Sequence, residues 1–166
     1  MVRWWLGAVL AFSLAGAARA EPAAWAGLGW LTGSWIGEGG GAQQGAGGFS
    51  FTPEAAGKVL IRRNVADYPA QGGKPAQHHE DFMVIFPQGE RVEADYWDSE
   101  GQRIHYVVSS PQAGEVVFLS DAGPGPRFRL TYRQRGPGLD GQFEIAPPGK
   151  PDQFASYLTW TARRRP

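Results

Sequence analysis

The sequence of 166 residues contains no cysteine, two methionines and three histidines. The missing cysteines exclude disulfides, thiolate metal centres, a cysteine nucleophile and lipid attachment at a processed N-terminal cysteine. A surplus of charge is missing too, since 16 basic side chains stand against 16 acidic ones, a formal net charge of +0. That balance leaves no footprint for nucleic acid, which requires a basic excess on one face. Helical periodicity is scarce, confined to a turn or two around residues 23–28, and no internal repeat is evident. One long apolar run exists, and it stands at the start.

Residues 1–20, MVRWWLGAVLAFSLAGAARA, combine Arg3, an apolar stretch through Leu14 and the small-residue site Ala18-Arg19-Ala20. This is the pattern of an export signal cleaved after Ala20, and the run is short for a membrane span of about 20 residues. The expected mature chain is residues 21–166, a single domain, periplasmic or secreted and without stable membrane insertion. Without Arg3 and Arg19 its formal charge becomes −2. Arg163, Arg164 and Arg165 form a small basic end, read as a solvated tail and not as a binding patch.

Beyond the leader, short apolar stretches alternate with glycine and proline punctuation. The expected strands cover residues 34–40, 48–52, 58–68, 80–86, 91–97, 103–109, 116–120, 127–133, 142–146 and 154–161. Gln88-Gly89 and Asp140-Gly141 are hairpin signals, the latter suited to a type I′ turn. Alternation turns Phe128, Leu130 and Tyr132 to one face and Arg127, Arg129 and Arg133 to the other. Ten short strands joined by tight turns predict an all-β, antiparallel up-and-down β-barrel with a short N-terminal helix.

The glycine-rich stretch GSWIGEGGG, residues 33–41, fits the dinucleotide pattern G-x-G-x-x-A through Gly37, Gly39 and Ala42. A phosphate loop must follow a buried strand and open a helix, and neither flank provides this. The glycines instead suit a strand bending at a barrel corner. With Gly33-Ser34-Trp35 after a short helical turn, the stretch resembles the G-x-W signature of the calycin superfamily, which includes the lipocalins. It is also similar to the opening of nitrobindin-type and other small bacterial lipocalin-like barrels. The resemblance implies that Trp35 packs under a closed barrel end, with Arg163 or Arg164 over its ring. Nitrobindin-type barrels hold haem through a histidine near the C-terminal strands. This chain has no histidine after His105, so neither haem nor another cofactor is expected.

Hairpin arithmetic gathers a candidate interior site. Pairing Pro87 with Glu90 sets Asp81 opposite Tyr96 and Met83 opposite Ala94. Pairing Asp98 with Gly101 brings Arg103 and His105 to the same face, and pairing Ser110 with Glu115 adds Val107, Phe118 and Ser120. Asp81, Met83, Tyr96, Arg103, His105 and Phe118 then form the expected ligand wall, with Glu93 and Asp95 outside. His78 and His79 point to opposite faces, whereas His79 and Asp81 share one. No G-x-S-x-G elbow is present. The expected function is non-covalent binding of a small, mainly hydrophobic molecule. Two alternatives stand beside it: a barrel enzyme using Asp81, Tyr96 and His105 for acid–base work, and a solid interaction module without a cavity.

Overall fold

The computed structural model describes residues 27–38 and 46–166. The expected export signal, most of the helical turn at 23–28 and the end of the first strand lie outside the described residues.

Ten antiparallel strands close into one barrel: β1 (Gly33–Glu38), β2 (Ala46–Glu54), β3 (Val59–Tyr68), β4 (Gln77–Gln88), β5 (Arg91–Asp98), β6 (Arg103–Ser109), β7 (Glu115–Ser120), β8 (Arg127–Arg135), β9 (Gly138–Ala146) and β10 (Ala155–Arg164). Strands consecutive in sequence pair with each other, and β1 pairs with β10 to shut the ring. Among the described residues every strand thus has a paired neighbour on each side, which suits a fold built from short strands. Among the described residues, a 3-10 turn at Gly29–Leu31 precedes β1.

The period-2 pattern sets the interior. Trp35, Phe51, Met83, Ile85, Ala94, Tyr106, Phe118 and Tyr132 are almost completely buried. Ring contacts run through them from one end to the other: Trp35–Phe49 at 6.3 Å, Phe49–Tyr132 at 5.6 Å, Tyr132–Phe118 at 6.2 Å, Phe118–Tyr106 and Tyr106–Tyr96 each at 6.3 Å. Most of these pairs are edge-to-face or tilted, the arrangement aromatic quadrupoles favour.

Four turns differ from expectation. The β4–β5 turn uses Gly89-Glu90, with Gln88 opposite Arg91, so Met83 faces Tyr96 and Asp81 faces Asp98. This moves the pairing by two residues and leaves every side chain on its expected face. Between β5 and β6 the loop is one residue longer than expected. Gly101 takes φ +84, its N–H donates to the Asp98 carbonyl at 3.1 Å, and the Asp98 N–H reaches the Gln102 carbonyl at 3.3 Å. A turn followed by a left-handed glycine makes a three-residue loop. Trp97 therefore pairs with Arg103 and Asp95 with His105, which sends Arg103, His105 and Val107 to the outer face. The β6–β7 pairing slips by one as well, Val108 facing Phe118, and the second slip cancels the first. Phe118 and Ser120 consequently remain inside. Lastly, Asp140-Gly141 is not a turn but lies within β9, and the β8–β9 turn is Gly136-Pro137. Gly141 faces Trp160, where an added Cβ would come within 2.1 Å of the indole ring.

Candidate functional site

The closed end is assembled by the residues of the G-x-W stretch. Trp35 is 2% exposed, and its indole Nε1 donates to the Leu31 carbonyl at 2.8 Å. The Arg164 guanidinium lies 4.4 Å from the Trp35 ring centre and donates to the Thr32 and Trp30 carbonyls, each at 2.7 Å. Gly33 has φ +116, and a Cβ there would meet Arg164 Nη1 at 2.8 Å, so glycine serves both the backbone and the arginine. Arg163 points outward and pairs with Glu38 at 2.6 Å. Of the two candidate arginines, Arg164 covers the tryptophan.

Halfway along the interior the apolar filling gives way to charge. Arg62 on β3 is 5% exposed and Asp81 on β4 is 8% exposed. Arg62 Nη1 pairs with Asp81 Oδ1, and Arg62 Nε donates to the Tyr132 hydroxyl at 2.8 Å. The second Asp81 oxygen accepts from Asn64 Nδ2 at 2.9 Å and meets His79 Nε2 at 3.2 Å. His79 Nδ1 lies 2.9 Å from Glu100 on the β5–β6 loop. Tyr96 donates to Asp98 at 3.2 Å, while the other Asp98 oxygen caps the Glu100 and Gln102 N–H groups.

These partners decide the protonation states. Burial works against the charge on Arg62, but Asp81 and Tyr132 outweigh it and raise its pKa above the ordinary arginine value. Burial likewise opposes ionisation of Asp81, and Arg62, His79 and Asn64 overcome it, lowering the carboxyl pKa. The hydrogen bond to Asp81, opposed by burial and joined by Glu100, pushes His79 up to about 9. At neutral pH the imidazole is thus a cation that donates to both carboxylates. Burial, then Asp81 and Asp98, raise the Tyr96 phenol, which stays neutral. The result is a charge cluster, desolvated at Arg62 and Asp81 and reaching solvent at Glu100, in which each ion has an opposite neighbour.

Four of the expected wall residues come together inside the barrel. Asp81 belongs to the network and Tyr96 stands beside it, whereas Met83 and Phe118 are 0% exposed and border no water-sized space. Arg103 and His105 are outside: the Arg103 side chain is 67% exposed, and His105 Nδ1 lies 3.1 Å from Asp95. The group Asp81–Tyr96–His105 therefore does not assemble, and Asp81 finds Arg62 where Arg103 was expected.

Toward the end opposite Trp35, inward-facing Ile104, Phe128 and Phe143 pack on the core yet stay partly exposed, as does Tyr96. Phe128 and Phe143 stack at 5.9 Å and 9°. The β10 strand carries a bulge between Ser156 and Leu158, and Tyr157 meets Phe143 edge-on at 6.2 Å. Among the described residues, no group of three or more His, Asp or Glu side chains is arranged to hold a metal ion. Compared with known protein families and with curated proteins, the chain matches none.

Proposed function

We propose that this chain is an exported, lipocalin-like barrel of the calycin type that holds a small, mainly hydrophobic molecule non-covalently at its open end. The observation carrying this reading is the gradient along the interior. Solid aromatic packing around Trp35 gives way to the satisfied Arg62–Asp81–His79 cluster, and then to a partly exposed apolar wall of Ile104, Phe128 and Phe143. Small-ligand sites combine such a wall with a few fixed polar groups. Tyr96, neutral at physiological pH and near the cluster, is the hydroxyl placed to orient a polar end of the ligand. Closure by Gly33, Trp35 and Arg164 supports the calycin assignment.

Native mass spectrometry of protein purified from its own host tests the binding. A retained small molecule, displaced by Phe143→Asp without loss of the cooperative melt, supports the reading. Protein that arrives empty and takes up no apolar fluorescent probe overturns it.

A further inference from the structure

The polar groups of the interior are ordered by depth. Across β3 and β4, Arg62 stands opposite Met83 and Asn64 opposite Asp81, so Asp81 lies one inward position nearer the mouth than Arg62. Asp98 on β5 faces Asp81 directly. A molecule entering the barrel therefore meets two carboxylates before it meets the buried guanidinium. Arginine is well matched to a ligand carboxylate, but here Asp81 fills that place and Nε is committed to the Tyr132 hydroxyl. Asn64 Nδ2 and both ring nitrogens of His79 are likewise turned to Asp81 or Glu100. Among the described residues Asp98 has no cationic partner and is held by Tyr96 and two backbone N–H groups. The cluster thus sets two cations, Arg62 and His79, against the carboxylates of Asp81, Asp98 and Glu100, an excess of one negative charge.

The phenols stand in that negative field. Tyr96 gives its proton to Asp98, so its oxygen offers a ligand a lone pair. Tyr68, at the mouth end of β3, is raised by burial, Tyr157, Asp81 and Glu100, and its neutral hydroxyl serves in either sense. Charges around the rim do not reverse the sign. Arg127 donates to the Ser120 carbonyl and pairs with Asp152, while Lys74 and Lys150 are exposed, as are Asp67 and Asp121. Exposed charges are screened by water and salt far more than those inside the barrel.

We infer that the ligand's polar end is a hydrogen-bond donor without negative charge, an alcohol or an amine, and that carboxylate-headed amphiphiles are excluded. This selectivity rests on the open end being the binding site proposed above. A carboxylate only accepts hydrogen bonds. It would find the matching donors spent on Asp81 and Glu100, and it would lose its water beside an uncompensated charge. An alcohol or an ammonium donates to the Tyr96 oxygen or to Asp98, with its apolar body along Ile104, which stands opposite Tyr96, and the Phe128–Phe143 pair.

Fluorescence titration at neutral pH with dansyl-tagged undecanol, undecylamine and undecanoic acid, which share one apolar body, tests the selectivity. The alcohol and the amine should bind at least about tenfold more tightly than the acid. Asp98→Asn, which retains the oxygen capping the Glu100 and Gln102 N–H groups, should narrow that gap to about threefold or less. Glu100→Gln, on a half-exposed side chain, should narrow it by a smaller factor. An acid that binds as tightly as the alcohol, or a gap that neither substitution moves, overturns the selectivity and leaves binding itself intact. If none of the three probes binds, the binding site falls and the selectivity with it.

Discussion

Of the arginines that lie over aromatic rings in this barrel, Arg164 and Arg62 have opposite surroundings. Arg164 lies across Trp35 from the solvent side, its guanidinium bound to two backbone carbonyls. Arg62 sits inside, 5.8 Å from the Phe49 ring centre, held by Asp81 and Tyr132. The outer arginine keeps most of its hydration, so it adds a modest cation–π term to a closure that apolar burial already favours. The inner one has lost its water, and its stability depends on a complete set of partners. The closed end and the middle of the barrel are thus held together by different physics.

Substitutions that remove one mechanism and leave the other test this contrast. Trp35→Ala deletes the buried indole on which the closed end rests and should cost roughly 3–5 kcal/mol in urea unfolding. A variant as stable as the parent would remove the closure from the account. Asp81→Ala should cost on the order of 3 kcal/mol, because it leaves Arg62 buried without its counter-ion. The double substitution Arg62→Met with Asp81→Leu should return stability to within about 1 kcal/mol of the parent, since the expense lies in the unpaired charge. Failure of that recovery would show the cluster to be a net source of stability. Arg164→Met, at the surface, should cost only about 0.5–1 kcal/mol. A loss as large as that of Asp81→Ala would erase the distinction between the two arginines.

The same contrast has a pH dependence. His79 has its pKa raised from 6.5 to about 9 by Asp81 and Glu100. Its contribution is complete below about 6.5 and is lost as pH rises through 9, because the folded state binds the extra proton in that interval. Urea unfolding across this range should show declining stability, with a slope that His79→Gln flattens. Exposed His78, raised by Asp67 and Glu80, titrates in the same direction, so His78→Gln is the matched control. An unchanged slope in the His79 variant would detach that residue from the network.

Strand positions were legible because glycine and proline mark nearly every boundary, whereas the cover of Trp35 by a terminal arginine was expected only from the resemblance of the G-x-W stretch, since the two residues lie far apart in sequence. Faces were legible on β8, where arginines alternate with aromatics. They were not legible on β3, whose sequence VLIRRNVADY offers Val59, Ile61 and Val65 on one face and Leu60 and Ala66 on the other. That ambiguity hid Arg62, although a buried Asp81 demands a cation from an adjacent strand. His105 was misplaced by a single loop residue, since Gly101 can close either a two- or a three-residue turn and only long-range packing decides between them. Asp140-Gly141 misled for a different reason: its glycine makes room for the indole of Trp160, a neighbour contributed by another strand.

Closure of the ring by β1 and β10 has a kinetic consequence. Every other pairing joins neighbours along the chain, whereas Trp35 and Arg164 must find each other across almost the whole described sequence. Loop-closure entropy makes such a contact late, formed after the sequential hairpins. Interactions made after the rate-limiting step slow unfolding and barely change folding. Trp35→Ala should accordingly steepen the loss through the unfolding rate, with refolding in stopped-flow measurements close to that of the parent. A variant that instead refolds slowly would make the seam the nucleus of folding.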